Sequence, residues 1–192
     1  MCGRFTLRNI KEVKSQFNLK FDVLPNFNIA PSSETLVLTK ELSLMSWGYS
    51  PAWGKSRLNI INARRETLNQ KPSFRYARRC LVLADGWYEW GTNDSGKVPY
   101  FFHREGELLL FGAIYNQDQE KPSFAIVTTK AVENIQTIHD RMPLIIEKTQ
   151  INQWMESKET IFPKKPKQYR FHRVSKIVNS PRNNNESCIE PV

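Results

Sequence analysis

The sequence predicts an α+β fold, in which a single domain has a mainly antiparallel, barrel-like β core and short flanking helices. Three observations lead to this prediction. The 192 residues suit one domain with a sizeable core, and 40% of them are hydrophobic. Many short β-rich segments alternate with turn signals, whereas helical spacing is confined to a few short stretches. No internal repeat or linker divides the chain, so we expect residues 1–192 to form one domain, with the tail from about residue 180 as its candidate flexible part.

The first half of the chain begins with a short strand and a helix. Residues 3–7 are β-like, and residues 9–17 carry apolar side chains at helical spacing with Asn9 as the candidate cap. The segments that follow are a loop at 25–33, a strand at 35–40, an aromatic loop or strand end at 45–53, an apolar stretch at 58–63 and a short helix near 64–69.

The second half reads mainly as strands. Asp85-Gly86 joins consecutive strands at 80–84 and 87–90, and Glu105-Gly106 lies where a hairpin of 98–103 and 108–115 would turn. The remaining predicted elements are a strand at 123–129, a short helix at 131–137, a strand at 144–147, a helix at 149–158 and a β-like stretch at 169–178 within a basic tail that begins at 164.

The charge balance favours an anionic partner. Lys and Arg number 28 against 19 for Asp and Glu, which gives a net charge of +9 and an isoelectric point near 9.6. Nucleic acid is favoured over a membrane surface. Because the basic residues are spread along the chain, solubility alone is the alternative explanation. The sequence has no apolar run long enough to span a membrane and no export leader, so we expect neither.

The cysteines predict neither a metal site nor a disulfide framework. Cys2, Cys80 and Cys188 are too widely spaced to form a metal-binding quartet. A reducing, intracellular setting is the simplest inference from their use, and we expect no metal and no cofactor.

Cys2 carries the most specific chemistry in the sequence. Its small side chain should allow removal of Met1, which would leave a free α-amine beside a thiol. An α-amine has a pKa of about 7.7–8.0 against about 10.4 for lysine, so it is far more often in its nucleophilic form at neutral pH. Such an amine condenses with aldehydes to a Schiff base, which the tethered thiol can close to a thiazolidine. The alternative is that a cysteine stands at position 2 by chance.

Two further residues are candidates for proton transfer. Glu89 lies among the aromatic residues of a predicted strand, where burial would raise its pKa toward neutrality. His139 lies in a loop that enters a strand, next to Asp140 and Arg141, and is a candidate general acid or base. The alternatives are a carboxylate on the solvent face of the strand and a surface histidine.

A third group suits the binding of a nucleic acid. Asn62 is either a helix cap or an amide that holds a sugar hydroxyl or a carbonyl oxygen. The side chains that suit phosphate contacts are Arg64 and Arg65, with Arg75, Arg78 and Arg79 soon after. Trp47 and Trp53 suit stacking on unpaired bases. For the tryptophans, a place in the core is the alternative.

Several short motifs, in this order and at this spacing, resemble the SRAP (SOS-response-associated peptidase) family. They are Met1-Cys2-Gly3-Arg4-Phe5, Asn28-Ile29-Ala30-Pro31, Trp47-Gly48 with Pro51 and Trp53, Asn62-Ala63-Arg64 with Glu66, Arg79-Cys80-Leu81, Gly86-Trp87-Tyr88-Glu89-Trp90, and the segments 124–129 and 138–143. The chain departs from the family's pattern at Arg65, Gly91 and Val132, none of which touches the expected chemistry.

The resemblance implies a protein that shields abasic sites in single-stranded DNA by crosslinking to them through the N-terminal cysteine. Cys2 is then the nucleophile, and Asn62, Glu89 and His139 match the other active-site positions. The positions that match the family's DNA contacts are Arg4, Asn28, Trp47, Arg64 and Arg75.

The expected partner is single-stranded DNA with abasic sites, including junctions between single and double strands. We expect a monomer that acts during the DNA damage (SOS) response. It would be located in the cytoplasm near the nucleoid of a bacterium or in the nucleus of a eukaryote.

Two other functions remain open on the residues alone. One is a cysteine peptidase that uses Cys2, Glu89 and His139 and removes its own Met1. The other is a non-catalytic nucleic-acid binding module, for which Cys2 would be dispensable. Blocking the α-amine while keeping the thiol separates the crosslinking reaction from the peptidase reaction.

Overall fold

Two sheets make up most of the structure, a computed structural model that describes residues 2–51, 53, 58–94, 96–117, 121–156 and 168–192. The strands are β1 (Arg4–Leu7), β2 (Asn26–Ile29), β3 (Glu34–Leu38), β4 (Leu42–Trp47), β5 (Asn62–Arg64), β6 (Arg78–Ala84), β7 (Gly86–Asn93), β8 (Gly96–His103), β9 (Leu109–Tyr115), β10 (Ser123–Lys130), β11 (Arg141–Pro143) and β12 (Arg170–Arg173). The α-helices are α1 (Ile10–Gln16), α2 (Glu133–Gln136) and α3 (Ile151–Glu156), and short 3-10 turns occupy Arg65–Thr67, Pro72–Phe74, Lys148–Gln150, Lys176–Asn179 and Glu186–Cys188.

One of the two sheets closes on itself. Strand β10 pairs with β4 on one edge and with β9 on the other, and β9, β6, β3 and β4 pair in turn, so the five strands form a ring. Strands β5 and β11 extend the two edges of β10. The pairings of β10 with β4 and β5 are parallel and the others are antiparallel. The predicted α+β fold with a mainly antiparallel, barrel-like core and short helices is confirmed.

The second sheet has the order β12-β8-β7-β1-β2 and packs against the closed ring. Asp85, between β6 and β7, fixes β1 at this junction. Its carboxylate accepts hydrogen bonds from the Thr6 hydroxyl (2.5 Å), the Arg8 guanidinium (3.0 Å) and the backbone N–H groups of Arg8 and Asn9. The chain then crosses to the second sheet at Gly86, where a Cβ would meet the Phe101 ring and the Phe102 carbonyl oxygen.

Aromatic side chains fill the interior of the ring. Phe5 packs edge-on against Trp47 and Phe111, with centroid distances of 5.1 and 5.8 Å, and Trp47 stacks on Phe124. These four residues are completely buried. Each such side chain contributes roughly 1.5–3 kcal/mol through burial. Phe5 thereby holds β1, the strand that follows Cys2, against the core.

Several predicted elements are confirmed with small shifts in their ends. Asn9 caps α1, since its side-chain oxygen accepts a hydrogen bond from the Glu12 backbone N–H at 3.2 Å. The consecutive strands around Asp85-Gly86 are β6 and β7, although they belong to different sheets. The short helix predicted at 131–137 is α2.

Two predicted elements are wrong. Strands β8 and β9 flank Glu105-Gly106 as expected, but they do not form a hairpin, because β8 pairs with β7 and β12 whereas β9 pairs with β6 and β10. The predicted loop at 25–33 contains strand β2, which pairs with β1. In the first case each strand pairs with strands other than its neighbour across Glu105-Gly106, and in the second case the pairing with β1 makes the segment a strand.

Other predicted elements are displaced. The aromatic segment at 45–53 begins inside β4, and the helix near 64–69 is a single 3-10 turn. In place of a strand at 144–147 the structure has β11, followed by an isolated bridge between Ile145 and Phe111. The helix at 149–158 consists of a 3-10 turn and α3, and its last two predicted residues lie outside the described ones, as does the basic stretch 164–167. The stretch at 169–178 is β12 followed by a 3-10 turn.

The C-terminal segment packs on the second sheet. The Asn28 amide donates hydrogen bonds to the carbonyl oxygens of Val178, Ser180 and Asn183 at 2.8–3.2 Å. Cys188 is completely buried in this segment. The tail that was the candidate flexible part is therefore bound to β2 at its beginning. None of the helices in the described ranges is long and apolar enough to cross a membrane.

Candidate active site

Strand β1 places Cys2 beside the middle of β7. The two strands are antiparallel with Arg4 opposite Tyr88 and Phe5 opposite Trp87, so the residues that precede β1 lie next to Glu89. Cys2 is completely buried. Its Sγ lies 3.8 Å from the Arg4 carbonyl oxygen. Cys2 is therefore an interior residue of the fold.

Glu89 is a buried carboxyl group with a strongly shifted pKa. Only 2% of the residue is exposed, because it lies on the inward-facing side of a strand rich in aromatic residues. Burial disfavours the charged form and raises the pKa of Glu89 to about 7. A carboxyl group with this pKa can both give and accept a proton at neutral pH. The sequence-based expectation of a raised pKa at Glu89 therefore agrees with its environment.

Asn62 holds the backbone of Cys2. Its amide nitrogen donates a 2.7 Å hydrogen bond to the Cys2 carbonyl oxygen. The amide oxygen of the same side chain is buried and has no hydrogen-bond partner within the described parts of the chain. A buried acceptor in this state costs about 1–3 kcal/mol. It is therefore suited to accept a hydrogen bond from a ligand or from an amine at Cys2.

His139 faces Glu89 from the opposite sheet. Its Nε2 atom lies 3.9 Å from the Glu89 carboxylate, which is longer than a direct hydrogen bond. Its Nδ1 atom lies 3.0 Å from the Arg141 backbone N–H, which donates to it, and 3.1 Å from the carboxylate of exposed Asp140. Burial lowers the pKa of His139, so the neutral imidazole predominates at pH 7.

An ion pair between buried Arg141 and exposed Glu66 supports the loop that carries His139. The Arg141 guanidinium donates two hydrogen bonds to the Glu66 carboxylate, at 3.0 and 2.9 Å, and one to the Thr128 carbonyl oxygen at 2.7 Å. This bidentate contact holds the pKa of Glu66 below its usual value. Sequence reasoning missed this pair as a unit, because its members are 75 residues apart and each lies in a different motif.

Four predicted site residues thus meet where the two sheets face each other. Cys2 and Glu89 come from β1 and β7 of the second sheet, whereas Asn62 begins β5 and His139 precedes β11 at the two edges of β10. The site therefore combines an oriented backbone, a carboxyl group that titrates near neutrality and a neutral imidazole. Such a set can move protons around a reaction at the start of the chain.

The thiol of Cys2 is held in its protonated form. Burial is the main cause that raises its pKa well above the ordinary value, and the neighbouring Glu89 carboxylate raises it further. A buried thiol next to a carboxylate is a poor source of thiolate.

The six residues predicted to contact DNA fall into two groups. Arg64, Arg75 and Trp53 are exposed, and 57% of Trp53 is accessible. The Arg75 guanidinium lies 6.0 Å from the ring centre of Tyr76, which is 68% exposed. These side chains are available to phosphates and unpaired bases.

The other three predicted DNA contacts, Arg4, Asn28 and Trp47, have partners inside the protein. Arg4 donates hydrogen bonds to the Asn28 amide oxygen at 2.7 Å and to the Val178 carbonyl oxygen at 2.8 Å, and Asn28 is 97% buried. Trp47 is completely buried, and its indole N–H donates to the Ile61 carbonyl oxygen at 2.8 Å. The prediction that a base stacks on Trp47 is corrected here, because its side chain is completely buried and packs against Phe5 and Phe124.

The described ranges contain no group of three or more His, Cys, Asp or Glu side chains arranged to hold a metal ion. The three cysteines are free and buried.

Sequence relatives resemble the chain along its whole length. It is 34% identical to the abasic site processing protein YoqW of Bacillus subtilis over 222 aligned positions, which cover 99% of both chains. It is 29% identical to the abasic site processing protein YedK of Escherichia coli, with full coverage of both. The rat abasic site processing protein HMCES is 28% identical, and the match covers 87% of this chain and 65% of that one.

Solved structures share the fold. A protein from Bacteroides thetaiotaomicron superposes over the full length of both chains with a TM-score of 0.83 at 21% identity. A phage-related protein from Bordetella bronchiseptica gives a TM-score of 0.73 at 26% identity over 91% of this chain and 95% of that one. The family model for SOS response associated peptidases (SRAP) matches residues 1–181. Together with the relatives, this match shows that the chain belongs to the SRAP family.

Proposed function

We propose that the protein processes abasic sites in single-stranded DNA by forming a covalent crosslink through Cys2 once Met1 has been removed. The names of the relatives from Bacillus, Escherichia and rat, all abasic site processing proteins, support the DNA lesion as the target. The observation that carries the proposal is the position of Cys2. Its backbone is held by Asn62 at 2.7 Å beside a carboxyl group whose pKa is about 7.

The first proposed step is the opening of the sugar. An abasic deoxyribose interconverts between a closed hemiacetal and an open aldehyde, and opening moves a proton from the C1′ hydroxyl to the ring oxygen. His139 is suited to accept or donate this proton, because it is predominantly neutral and faces the site through Nε2. The amide oxygen of Asn62 accepts a hydrogen bond from the sugar or from the attacking amine.

The second step joins the amine of Cys2 to C1′. Glu89 takes a proton from the Cys2 ammonium, and the free amine adds to the aldehyde to give a carbinolamine. The protonated Glu89 then returns a proton to the carbinolamine hydroxyl, which leaves as water and yields the Schiff base. A pKa of about 7 suits both transfers, because neither the acid nor its conjugate base is scarce at neutral pH.

The third step closes the ring. The Cys2 thiol adds across the C=N bond, so that Sγ bonds to C1′ and its proton goes to the nitrogen. The product is a thiazolidine, and the whole sequence releases one water molecule. Because the thiol is protonated and tethered to the imine nitrogen, closure follows imine formation and does not compete with it. The thiazolidine cannot undergo the β-elimination that would break the strand.

The proposed DNA path runs over the exposed cations and rings near β5. Arg64 and Arg75 contact phosphates, and Trp53 stacks on an unpaired base. Arg4 and Asn28 support this path indirectly, since their side chains hold the C-terminal segment against β1 and β2. A single strand, or its junction with a duplex, is the proposed partner because the abasic nucleotide has to leave the base stack to reach Cys2.

The environment of Cys2 disfavours a peptidase. A cysteine peptidase needs a thiolate as its nucleophile, and here burial and Glu89 raise the pKa of the thiol. An α-amine has no use in peptide hydrolysis, whereas it is the first nucleophile of the proposed reaction.

The test is incubation of the protein with a single-stranded oligonucleotide that carries one abasic site, followed by a denaturing gel and intact-mass analysis. The expected product has the summed mass of protein and oligonucleotide less one water, and requires the lesion. The variant Cys2→Ala should give no stable thiazolidine. Protein without Met1 that yields no adduct would overturn the proposal.

The variant Cys2→Ser is the matched control for the order of steps. It keeps the α-amine and replaces the thiol by a weaker nucleophile, so it should form a Schiff base that borohydride traps but should not form a stable adduct. A Cys2→Ser protein that gives no trapped product would show that the thiol and not the amine reacts first.

A further inference from the structure

A groove on the outer surface of the ring lies apart from the residues that converge on Cys2. It has a volume of about 870 Å³ and runs between α3 and the segment that connects β5 to β6. A volume of this size lies within the range of ligand sites, about 300–1,000 Å³. The groove therefore has room for several side chains of a partner.

Apolar side chains line the floor and both sides of the groove. Ile114 of β9 forms part of the floor, with Leu68 and Phe74 on the side of the connecting segment and Ile151 and Met155 on the side of α3. Methionine and branched aliphatic side chains adapt to apolar side chains of different shapes. The lining therefore favours an apolar anchor residue over a hydrophilic ligand.

The rim of the groove is cationic. Among its described lining residues, Lys40, Arg75, Arg78 and Arg79 are basic, whereas Glu156 is the one acidic residue. Lys40, Arg75 and Arg78 are exposed. Basic groups above an apolar floor complement a ligand that carries carboxylates next to apolar groups.

Two of the cations are positioned by aromatic neighbours. The Arg79 guanidinium lies 4.4 Å from the ring centre of Trp154 in α3. Arg78 hydrogen-bonds to the Tyr115 hydroxyl. These contacts hold two guanidinium groups of the groove's lining in place, so that they can meet carboxylates with little loss of side-chain freedom.

We propose that this groove binds an acidic peptide segment of a partner protein, with apolar side chains in the apolar floor and carboxylates against Lys40 and Arg78. A single DNA strand fits the groove less well. The exposed rings of Trp53 and Tyr76, on which bases could stack, are not among its lining residues. Of the two rings that line it, Phe74 is 8% exposed and Tyr115 is half-buried and hydrogen-bonded to Arg78. The proposal does not depend on the crosslinking reaction.

The test measures fluorescence anisotropy of a short labelled peptide in which aspartates and glutamates alternate with leucine and phenylalanine. Two comparison peptides replace the acids by their amides or the apolar residues by serine. The first peptide should bind, and both comparison peptides should bind at least about tenfold more weakly. Absence of binding by the acidic, apolar peptide would overturn the proposal.

Charge reversal within the protein locates the binding site. Arg78→Glu, at the start of β6, should weaken peptide binding by about tenfold or more. Lys40→Glu should also weaken it, and provides a second variant outside the sheet in case the first is unstable. Arg173→Glu changes an exposed strand arginine of the other sheet and should alter binding less than about twofold.

Two outcomes would contradict this assignment. Equal loss of binding in Arg78→Glu and Arg173→Glu would show that net charge, and not the groove, attracts the peptide. Displacement of the peptide by an undamaged single-stranded oligonucleotide whose own affinity falls in Arg78→Glu would assign the groove to nucleic acid.

Discussion

Replacement of Glu89 by glutamine should stabilise the protein at high pH and not at low pH. The pKa of Glu89 is about 7 in the folded state against its ordinary value of 4.5. Between these values the folded protein keeps the proton while the unfolded chain releases it, so the unfolding free energy falls as the pH rises through this window. The shift corresponds to a loss of about 3 kcal/mol that is complete above pH 7.

Glu89→Gln removes this loss because the amide has a similar shape and does not ionise. Below about pH 4.5 the two proteins should be equally stable, and above about pH 7 the variant should be more stable by up to about 3 kcal/mol. Urea denaturation at several pH values measures the difference. The exposed Glu34 of β3 offers a matched control, and Glu34→Gln should follow the parent at every pH.

Two results would refute this reasoning. Equal stability of Glu89→Gln and the parent protein above pH 7 would mean that Glu89 ionises without cost in the folded state. A difference that is the same at all pH values would reflect packing and not the titration of Glu89. The same variant should also crosslink more slowly, because it can no longer exchange a proton with the Cys2 amine.

The remaining predictions concern the supports of the site and the proposed DNA contacts. Asn62→Ala should slow single-turnover crosslinking by about tenfold to a hundredfold with thermal stability nearly unchanged, because Cys2 loses its 2.7 Å hydrogen bond; an unchanged rate would contradict this role. Glu66→Gln should destabilise the fold by about 1–3 kcal/mol in urea denaturation, since buried Arg141 loses its charged partner. The double variant Glu66→Gln with Arg141→Met should lose less unfolding free energy than Glu66→Gln alone. Trp53→Ala should weaken binding of single-stranded DNA by about 1–3 kcal/mol in anisotropy measurements without loss of stability, whereas Trp47→Ala should cost about 3–5 kcal/mol of stability; the reverse pattern would contradict their placement.

The positions of the strands were easier to predict from the sequence than the pairing of one strand with another. The alternating aromatic residues around Tyr88 indicate a strand, and the Asp85-Gly86 pair indicates where it begins. A local pattern does not determine whether a strand joins its neighbour in the chain or a distant one. The Glu105-Gly106 turn therefore suggested a hairpin, although its two strands enter different sheets. Strand β2 was missed because its short sequence has loop character and its pairing with β1 defines it as a strand.

The candidate site shows the same division. Cys2, Glu89 and His139 could be selected from the sequence because a terminal aminothiol, an acid among aromatic residues and a loop histidine are unusual on local grounds. Trp47 shows the limit of that approach, since an aromatic residue near Gly48 and Pro51 suits an exposed loop as well as a core. The pairing of Glu66 with Arg141 depends on the fold alone.

The most direct test of the account separates the α-amine of Cys2 from its thiol. A version of the protein with an uncleavable N-terminal extension keeps the thiol and turns the α-nitrogen into an amide. It is compared with protein whose mass shows that Met1 is absent, on the same single-stranded oligonucleotide with one abasic site. We expect an adduct only for the protein with the free amine. Adducts of equal yield from both proteins would contradict the amine-first reaction, and with it the role assigned to the position of Cys2 beside Glu89.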